Sequence, residues 1–425
     1  MKRYLILLMM LSVFCSSVVV WAADTAVEVT ARGNRSLRLG IVAPQPTGAS
    51  YKTQLADTMA AVHAFDMQMS GIVQSEVTSL PPLGHGLAVS SADYDRWATS
   101  GFELMVRGTY ALSGDTLVTE FRLYDVIGKK MLTAKRYTGR AADTRKMAHL
   151  FSDEVVRTLT GEKGTFSAHI VFVSTQSGSK ELHMMDWDGY GVQRLTNHHS
   201  ILLSPDVSPN STMVLFTSYR RGNPDLYVRN LAQGTDTILS GRRGLNITGA
   251  WSPDGKQVAL SMSREGTTDI YLIDTKGAII KRLTSGAGAN VSPTWSPDGT
   301  KIAFISDRHG KPNLFVMNRD GSNVRKLAGG GYLATPAWSP KGDVIAFTRM
   351  SGGFQISVVT LDGAETQLTS SGNNERPRWS PDGRMIVFGS KRSGTEALYV
   401  MRRDGTGQTK VSRVSGIAQH PVWLP

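Results

Sequence analysis

Trp295-Ser-Pro-Asp-Gly-Thr-Lys-Ile-Ala-Phe-Ile-Ser306 is the stretch that decides the fold, because the chain returns to it at nearly constant intervals. Further copies are Trp251-Ser-Pro-Asp-Gly, Trp338-Ser-Pro-Lys-Gly and Trp379-Ser-Pro-Asp-Gly. A worn copy stands at Val207-Ser-Pro-Asn-Ser and a truncated one at Trp423-Leu-Pro. The steps from Val207 to Trp423 are 44, 44, 43, 41 and 44 residues. A period in the low forties that carries only strand signals is what a propeller blade of four short strands requires.

Around Trp295 the unit reads as four runs. Ser292-Pro-Thr-Trp enters the motif, Lys301-Ile-Ala-Phe-Ile-Ser leaves it, and Asn313-Leu-Phe-Val-Met and Val324-Arg-Lys-Leu-Ala complete it. Each run is short, rich in β-branched or aromatic residues and bounded by turn chemistry. In Ser-Pro-Asp-Gly, proline presets φ, aspartate bonds nearby backbone and glycine supplies the positive φ that closes a hairpin. Asp320-Gly, Asp362-Gly and Asp404-Gly repeat that chemistry between the last two strands. The recurring carboxylates are therefore turn residues rather than a catalytic or metal series, and the tryptophans read as packing between sheets.

The ends of the array fix the blade number. Ile170-Val-Phe-Val-Ser, Glu181-Leu-His-Met-Met and Val192-Gln-Arg-Leu-Thr match second, third and fourth strands, with no first strand before them. Gln419-His-Pro-Val-Trp matches a first strand alone. The last residues are expected to complete the first blade, which closes the ring and removes both sheet edges. Five whole repeats and this shared one make six blades.

Lys2 and Arg3 precede an apolar stretch from Leu5 to Val20, and Val20-Trp-Ala has the small-residue pattern of a cleavage site. Residues 1–22 are expected to be a secretory signal peptide. The single cysteine, Cys15, falls inside it, so the mature chain would rely on its core rather than on disulfides. Formal net charge is +12, with fifteen Lys/Arg against fourteen Asp/Glu over residues 24–160 and thirty against twenty-one beyond. A basic domain suggests nucleic acid, but these cations are scattered and the chain reads as secreted. An acidic protein surface or anionic envelope component fits better, with solubility alone as the other reading.

Residues 23–36 read as a polar, aperiodic arm. Residues 37–161 read as a small α/β domain. Leu37-Arg-Leu-Gly-Ile-Val alternates as a strand, and Leu55, Met59, Val62, Phe65 and Met69 form one face of a helix stopping at Gly71. Ser91 is expected to cap a short helix ending near Gly101. Phe102–Leu112 and Leu117–Val126 form a hairpin, a strand runs from Met131 to Tyr137, and Met147, Phe151, Val155 and Leu159 mark a second helix closed by Gly161. The fold class is thus mainly β: a six-bladed β-propeller over residues 165–425, preceded by this small domain. The small domain holds no phosphate loop, glycine-rich fingerprint or ligand-spaced His or Cys.

The signal peptide, small domain and Trp-Ser-Pro-Asp-Gly propeller together resemble the TolB family of Gram-negative bacteria. The junction Arg145-Lys-Met-Ala-His-Leu-Phe-Ser-Asp, then Leu159-Thr-Gly-Glu-Lys-Gly-Thr-Phe, carries the resemblance most specifically. It implies a periplasmic, non-enzymatic member of the Tol–Pal system. The implied partners are Pal, an outer-membrane lipoprotein bound to peptidoglycan, at the propeller mouth, and TolA of the inner membrane at the N-terminal arm. The arm residues so implicated are Asp24, Thr25, Ala26, Val27 and Glu28. The implied roles are outer-membrane integrity, invagination during division and import of macromolecules such as colicins, without a cofactor or metal.

Equivalent loops of six blades emerge on one face, and loops carry function more often than strands. The connections from each last strand to the next first strand place Arg242, Arg243, Asn246, Thr248, Asn290, Ser292, Asn373, Asn374 and Arg376 at one mouth, as the expected partner-binding residues. A serine hydrolase would need a G-x-S-x-G elbow, which the sequence lacks. The alternatives are a propeller enzyme, a lyase or glycosidase using paired carboxylates or a metal in the channel with His198, His199 and His420 as its candidate ligands, and a small-molecule sensor.

Overall fold

The computed structural model describes residues 36–425 apart from 49–51, 80–83, 85, 265 and 287. The expected signal peptide and nearly all of the arm lie outside the described residues.

The small domain is built on β1 (Leu37–Ile41), β2 (Gln45–Pro46), α1 (Thr53–Ser70), β3 (Val73–Val77), α2 (Ser91–Thr99), β4 (Leu104–Ser113), β5 (Thr116–Asp125), β6 (Lys130–Arg140) and α3 (Thr144–Thr160). The sheet order is β3-β1-β4-β5-β6, with β2 paired to β4. The β3-β1-β4 part is parallel and β4-β5-β6 antiparallel. Alternation splits the sheet's side chains between two cores. Leu104, Val106, Phe121 and Leu123 pack with Met59 and Val62 of α1 and Phe151 and Val155 of α3. Met105 and Tyr124 face the other way, onto Trp97 of α2.

Both long helices stop where glycine takes a left-handed φ, Gly71 at 69° and Gly161 at 75°. The cap of α2 is Ser90, not Ser91: its hydroxyl accepts from the Asp93 N–H while Asp93 Oδ2 accepts from the Ser90 N–H at 2.9 Å. Two adjacent serines are equivalent in sequence, and the acidic residue three positions on decides between them. The strand β3 has no counterpart in the sequence reading.

Six four-stranded antiparallel sheets follow. Their innermost strands are Leu202–Val207, Asn246–Trp251, Asn290–Trp295, Leu333–Trp338, Asn374–Trp379 and Ala418–Leu424. The last pairs with His169–Ser174, with Gln419 opposite Val173 and Trp423 opposite Ile170, so the C-terminal strand completes the first blade. The Ser-Pro-Asp-Gly turns close as expected. Asp298 Oδ1 accepts from the Ser296 hydroxyl at 2.5 Å and the Thr300 N–H at 3.0 Å, which holds its carboxyl down near 2. The motif tryptophans are buried, and the indole N–H of Trp295, Trp379 and Trp423 each donates to a carbonyl of the preceding blade (Ala250, Ala337, Arg378).

The two parts share one apolar core, in which Phe166 and Trp187 meet Phe65 and α3. The Leu159-Thr-Gly-Glu-Lys-Gly-Thr-Phe junction has a physical reason for its second glycine. A Cβ at Gly164 would stand 2.6 Å from the Asp153 Cα, while Asp153 accepts from the Phe166 and Ser167 N–H groups. Among the described residues no helix is long and apolar enough to cross a membrane.

Candidate partner-binding mouth and channel

Each blade is a meander, so its second-to-third connection and its link to the next blade lie at one end, and its two tight hairpins at the other. The small domain packs against the hairpin end: Glu162 bonds Lys341 and Arg384, which flank the Ser-Pro turns of the fifth and sixth blades. The opposite end is the mouth.

The expected mouth residues fall into three groups. Thr248, Ser292 and Arg376 line the central channel, a cavity of ≈ 360 Å³. They belong to a ring of six equivalent positions on the innermost strands: Ser204, Thr248, Ser292, Thr335, Arg376 and His420. All six have positive φ, between 47° and 59°. At each the register shifts, so a bulge turns the side chain off the ladder. In five of the six the next residue is proline, which cannot donate to a ladder.

Asn246, Asn290 and Asn374 form the second group, and the expectation that they present amides to a partner is corrected. They open their strands and are wholly buried. Asn290 donates to Asp269 Oδ1 at 2.9 Å and accepts from Arg308 at 2.8 Å. Asn374 donates to Gln355 and accepts from Arg392, and Asn246 donates to the Arg242 carbonyl and accepts from the Ser240 hydroxyl. They hold the loops from beneath. A polar residue beside a loop looks alike in sequence whether it faces solvent or satisfies buried backbone.

The third group lies outward of the channel. Arg242 donates to the Ser240 hydroxyl and, at 2.8 Å, to the Gly277 carbonyl of the next blade, so half of its side chain is a strut between blades. Arg243 is exposed and shares a shallow recess with Arg242, Gly244, Ser263 and Arg264. Asn373 is exposed, and its Oδ1 accepts from the Phe354 N–H.

Beside the channel, Ser292 and Arg376 also border a second cavity of ≈ 350 Å³ with Ile305, Pro312, Tyr332, Phe354 and Glu375. Tyr332 meets Phe354 edge-on at 6.2 Å and stays 44% exposed. Arg376 Nη1 reaches Glu396 at 3.0 Å and Glu375 at 3.4 Å, and burial holds the Glu396 carboxyl above its ordinary range.

Sequence reasoning missed Arg378, Asp206, Ser204 and Thr335 as channel residues. Their signal was available in the recurring residue-Pro-residue-Trp pattern. Burial pushes Asp206 up to about 6 against the pull of the Trp251 N–H and Arg378. His420 is held well below its usual value by burial and then by Arg376, Lys180 and Arg378. The three histidines do not converge. His198 sits in the blade wall between the Ser218 hydroxyl and Asp236, and His199 contributes its backbone N–H to Glu181, while His420 lines the channel. Among the described residues no three His, Cys, Asp or Glu are grouped to hold a metal ion.

Comparison with known proteins places this architecture. Residues 156–425 match the family model described as TolB beta propeller domain, and residues 25–132 that of the TolB amino-terminal domain. A relative from Geobacter sulfurreducens, named Tol-Pal system protein TolB, is 49% identical over 424 residues, covering 99% of this chain and 98% of its own. Its counterpart from Geobacter metallireducens is 50% identical over 400 residues, 94% and 93% of the two chains. The crystal structure of TolB from Acinetobacter baumannii is similar in fold, with a TM-score of 0.80 at 24% identity over 92% of this chain and 97% of that one.

Proposed function

The chain belongs to the TolB family, and on that footing we propose that it is a non-catalytic periplasmic adaptor of the Tol–Pal system. Its propeller mouth receives the peptidoglycan-associated lipoprotein Pal, and its arm at residues 24–36 links to TolA of the inner membrane. Through these contacts it supports outer-membrane integrity, invagination during division and the import of macromolecules such as colicins.

The observation that carries the reading is the cavity beside the channel, which half-exposed Tyr332 and partly buried Phe354 line together with Arg376. An aromatic anchor beside a charged fork is the composition of a protein-binding hot spot. The small domain leaves that end of the propeller open.

Binding of purified Pal by calorimetry tests it. Tyr332→Ala and Arg376→Glu are each expected to weaken binding at least about tenfold, near 1.4 kcal/mol. Arg319→Glu with Arg403→Glu, on the hairpin end, controls for net charge. Equal losses from both sets would indicate long-range electrostatics without a specific mouth, and unchanged binding by the folded mouth variants would move the partner elsewhere. Purified protein is expected to show no peptidase, esterase or glycosidase turnover above blank. Stoichiometric metal together with such turnover would overturn the adaptor reading.

A further inference from the structure

The channel behind the mouth has a chemistry of its own. Its charged or titratable lining residues are Arg376, Arg378, His420 and Asp206. Arg376 is paired with Glu396 and Glu375. Arg378 is different. Among the described residues its guanidinium makes one hydrogen bond, from Nη1 to the adjacent Pro377 carbonyl at 3.2 Å, which leaves most of the fork without an acceptor in a half-buried position. A guanidinium carries five N–H donors and holds its charge at any physiological pH.

The groups around it are mostly donors as well. His420 Nδ1 accepts the Ser204 N–H at 3.3 Å, which places the proton of the neutral ring on Nε2, as a donor. The ring adds the hydroxyls of Ser204, Ser292, Thr248 and Thr335, of which the last two already bond Ser261 and Thr348 across their own sheets. The single carboxylate side chain among the lining residues, Asp206, has Oδ2 occupied by the Trp251 N–H and makes no ion pair with Arg378 within 4 Å. The lining therefore presents an excess of donors and positive charge around a cavity of ≈ 360 Å³, large enough for a small molecule.

We propose that this channel is a binding site for a small oxyanion, a carboxylate or phosphate group held by the Arg378 fork, His420 Nε2–H and the Ser204 and Ser292 hydroxyls. Bidentate recognition by the fork supplies both charge and geometry. The anion comes either as a free solute or as the acidic side chain of a docked partner. The site does not depend on which partner occupies the mouth, so it stands or falls separately from the adaptor reading.

Calorimetric titration of the full mature protein with inorganic phosphate and with citrate, at constant ionic strength, tests the site. One-to-one binding is expected for at least one of them, with at least about tenfold loss in Arg378→Gln, a smaller loss in Arg378→Lys and no change in Arg319→Gln, which lies outside the channel on the hairpin end. An anomalous-scattering peak from soaked selenate against Arg378 in the wild-type crystal would support the site without any variant. If saturating anion weakens Pal binding in the wild type but not in Arg378→Gln, the natural occupant is a partner's acidic side chain. If Pal binding is indifferent, the occupant is a free solute. Absence of binding by both probes, or equal binding by folded Arg378→Gln, would overturn the proposal.

Discussion

Lys341 occupies the one full copy of the motif in which Asp is replaced, and the structure supplies the reason. Where Asp254, Asp298 and Asp382 bond the serine two positions before, Lys341 instead reaches out to Glu162 of the junction, at 3.0 Å to both oxygens. Arg384 joins it at 2.7 Å, and the two cations hold the Glu162 carboxyl below its ordinary range. Lys341→Asp would restore the turn and place two like charges together. A loss of about 1 kcal/mol is expected by chemical denaturation, no more, because the pair is half-exposed. Glycines of the turns between strands divide by their surroundings in the same way. Gly277 has φ +85° and its Cβ would strike the Leu239 carbonyl of the preceding blade, whereas Gly310 has φ +94° in open space. Gly310→Ala should cost about 1–2 kcal/mol for the left-handed backbone alone. Gly277→Ala should cost measurably more, and equal melting of the two variants would show that the blades can part to admit a methyl group.

Among the elements, the closing strand makes the strongest claim. Ala418–Leu424 supplies the innermost strand of the first blade and buries Val422 and Trp423. Deleting residues 417–425 is therefore expected to destabilise the whole propeller by several kcal/mol, a large part of a domain's margin. A truncated protein that melts like its parent would refute the role of that strand in stability. This closure was legible in the sequence because a period of 41–44 residues, with three strands of a repeat at one end and one strand at the other, leaves few alternatives. The strand β3 was not legible: Val73-Gln-Ser-Glu-Val has one buried residue of five and lies at the sheet edge, so it carries no alternating signal. The site was half legible. Repeat spacing brings Thr248, Ser292 and Arg376 together from distant positions, but the same loops supplied Asn246, Asn290 and Asn374, which spacing cannot distinguish from exposed amides. The bulge that turns the ring into the channel is a backbone event, marked only by the proline that follows.

At the scale of the whole molecule, two parts are joined through a buried polar cluster whose charge depends on pH. His149 of α3 stands between Asp66 of α1, 2.9 Å from Nδ1, and Asp188 of the first blade, 3.3 Å from Nε2. Arg145 also pairs with Asp188 and lies over the Tyr190 ring, while His63, held neutral at about 3 by burial and by His149, completes the small domain's side. Burial alone would lower the His149 pKa, but Asp66 and Asp188 outweigh it and raise it to about 10. A basic group whose folded pKa exceeds its unfolded value of about 6.5 stabilises fully below that value and loses the contribution as pH rises through the folded one. Asp66, raised by burial to about 6, has the same sign at lower pH: its contribution is present below about 3.9 and lost as pH rises through about 6. The melting temperature should therefore fall as pH goes from 6.5 to 10. His149→Gln, which can still donate to Asp66 but carries no charge, should be less stable at pH 6.5 and show a flatter decline toward pH 10. Parallel curves for the two proteins across that interval would mean that His149 is not the charged link between the small domain and the propeller.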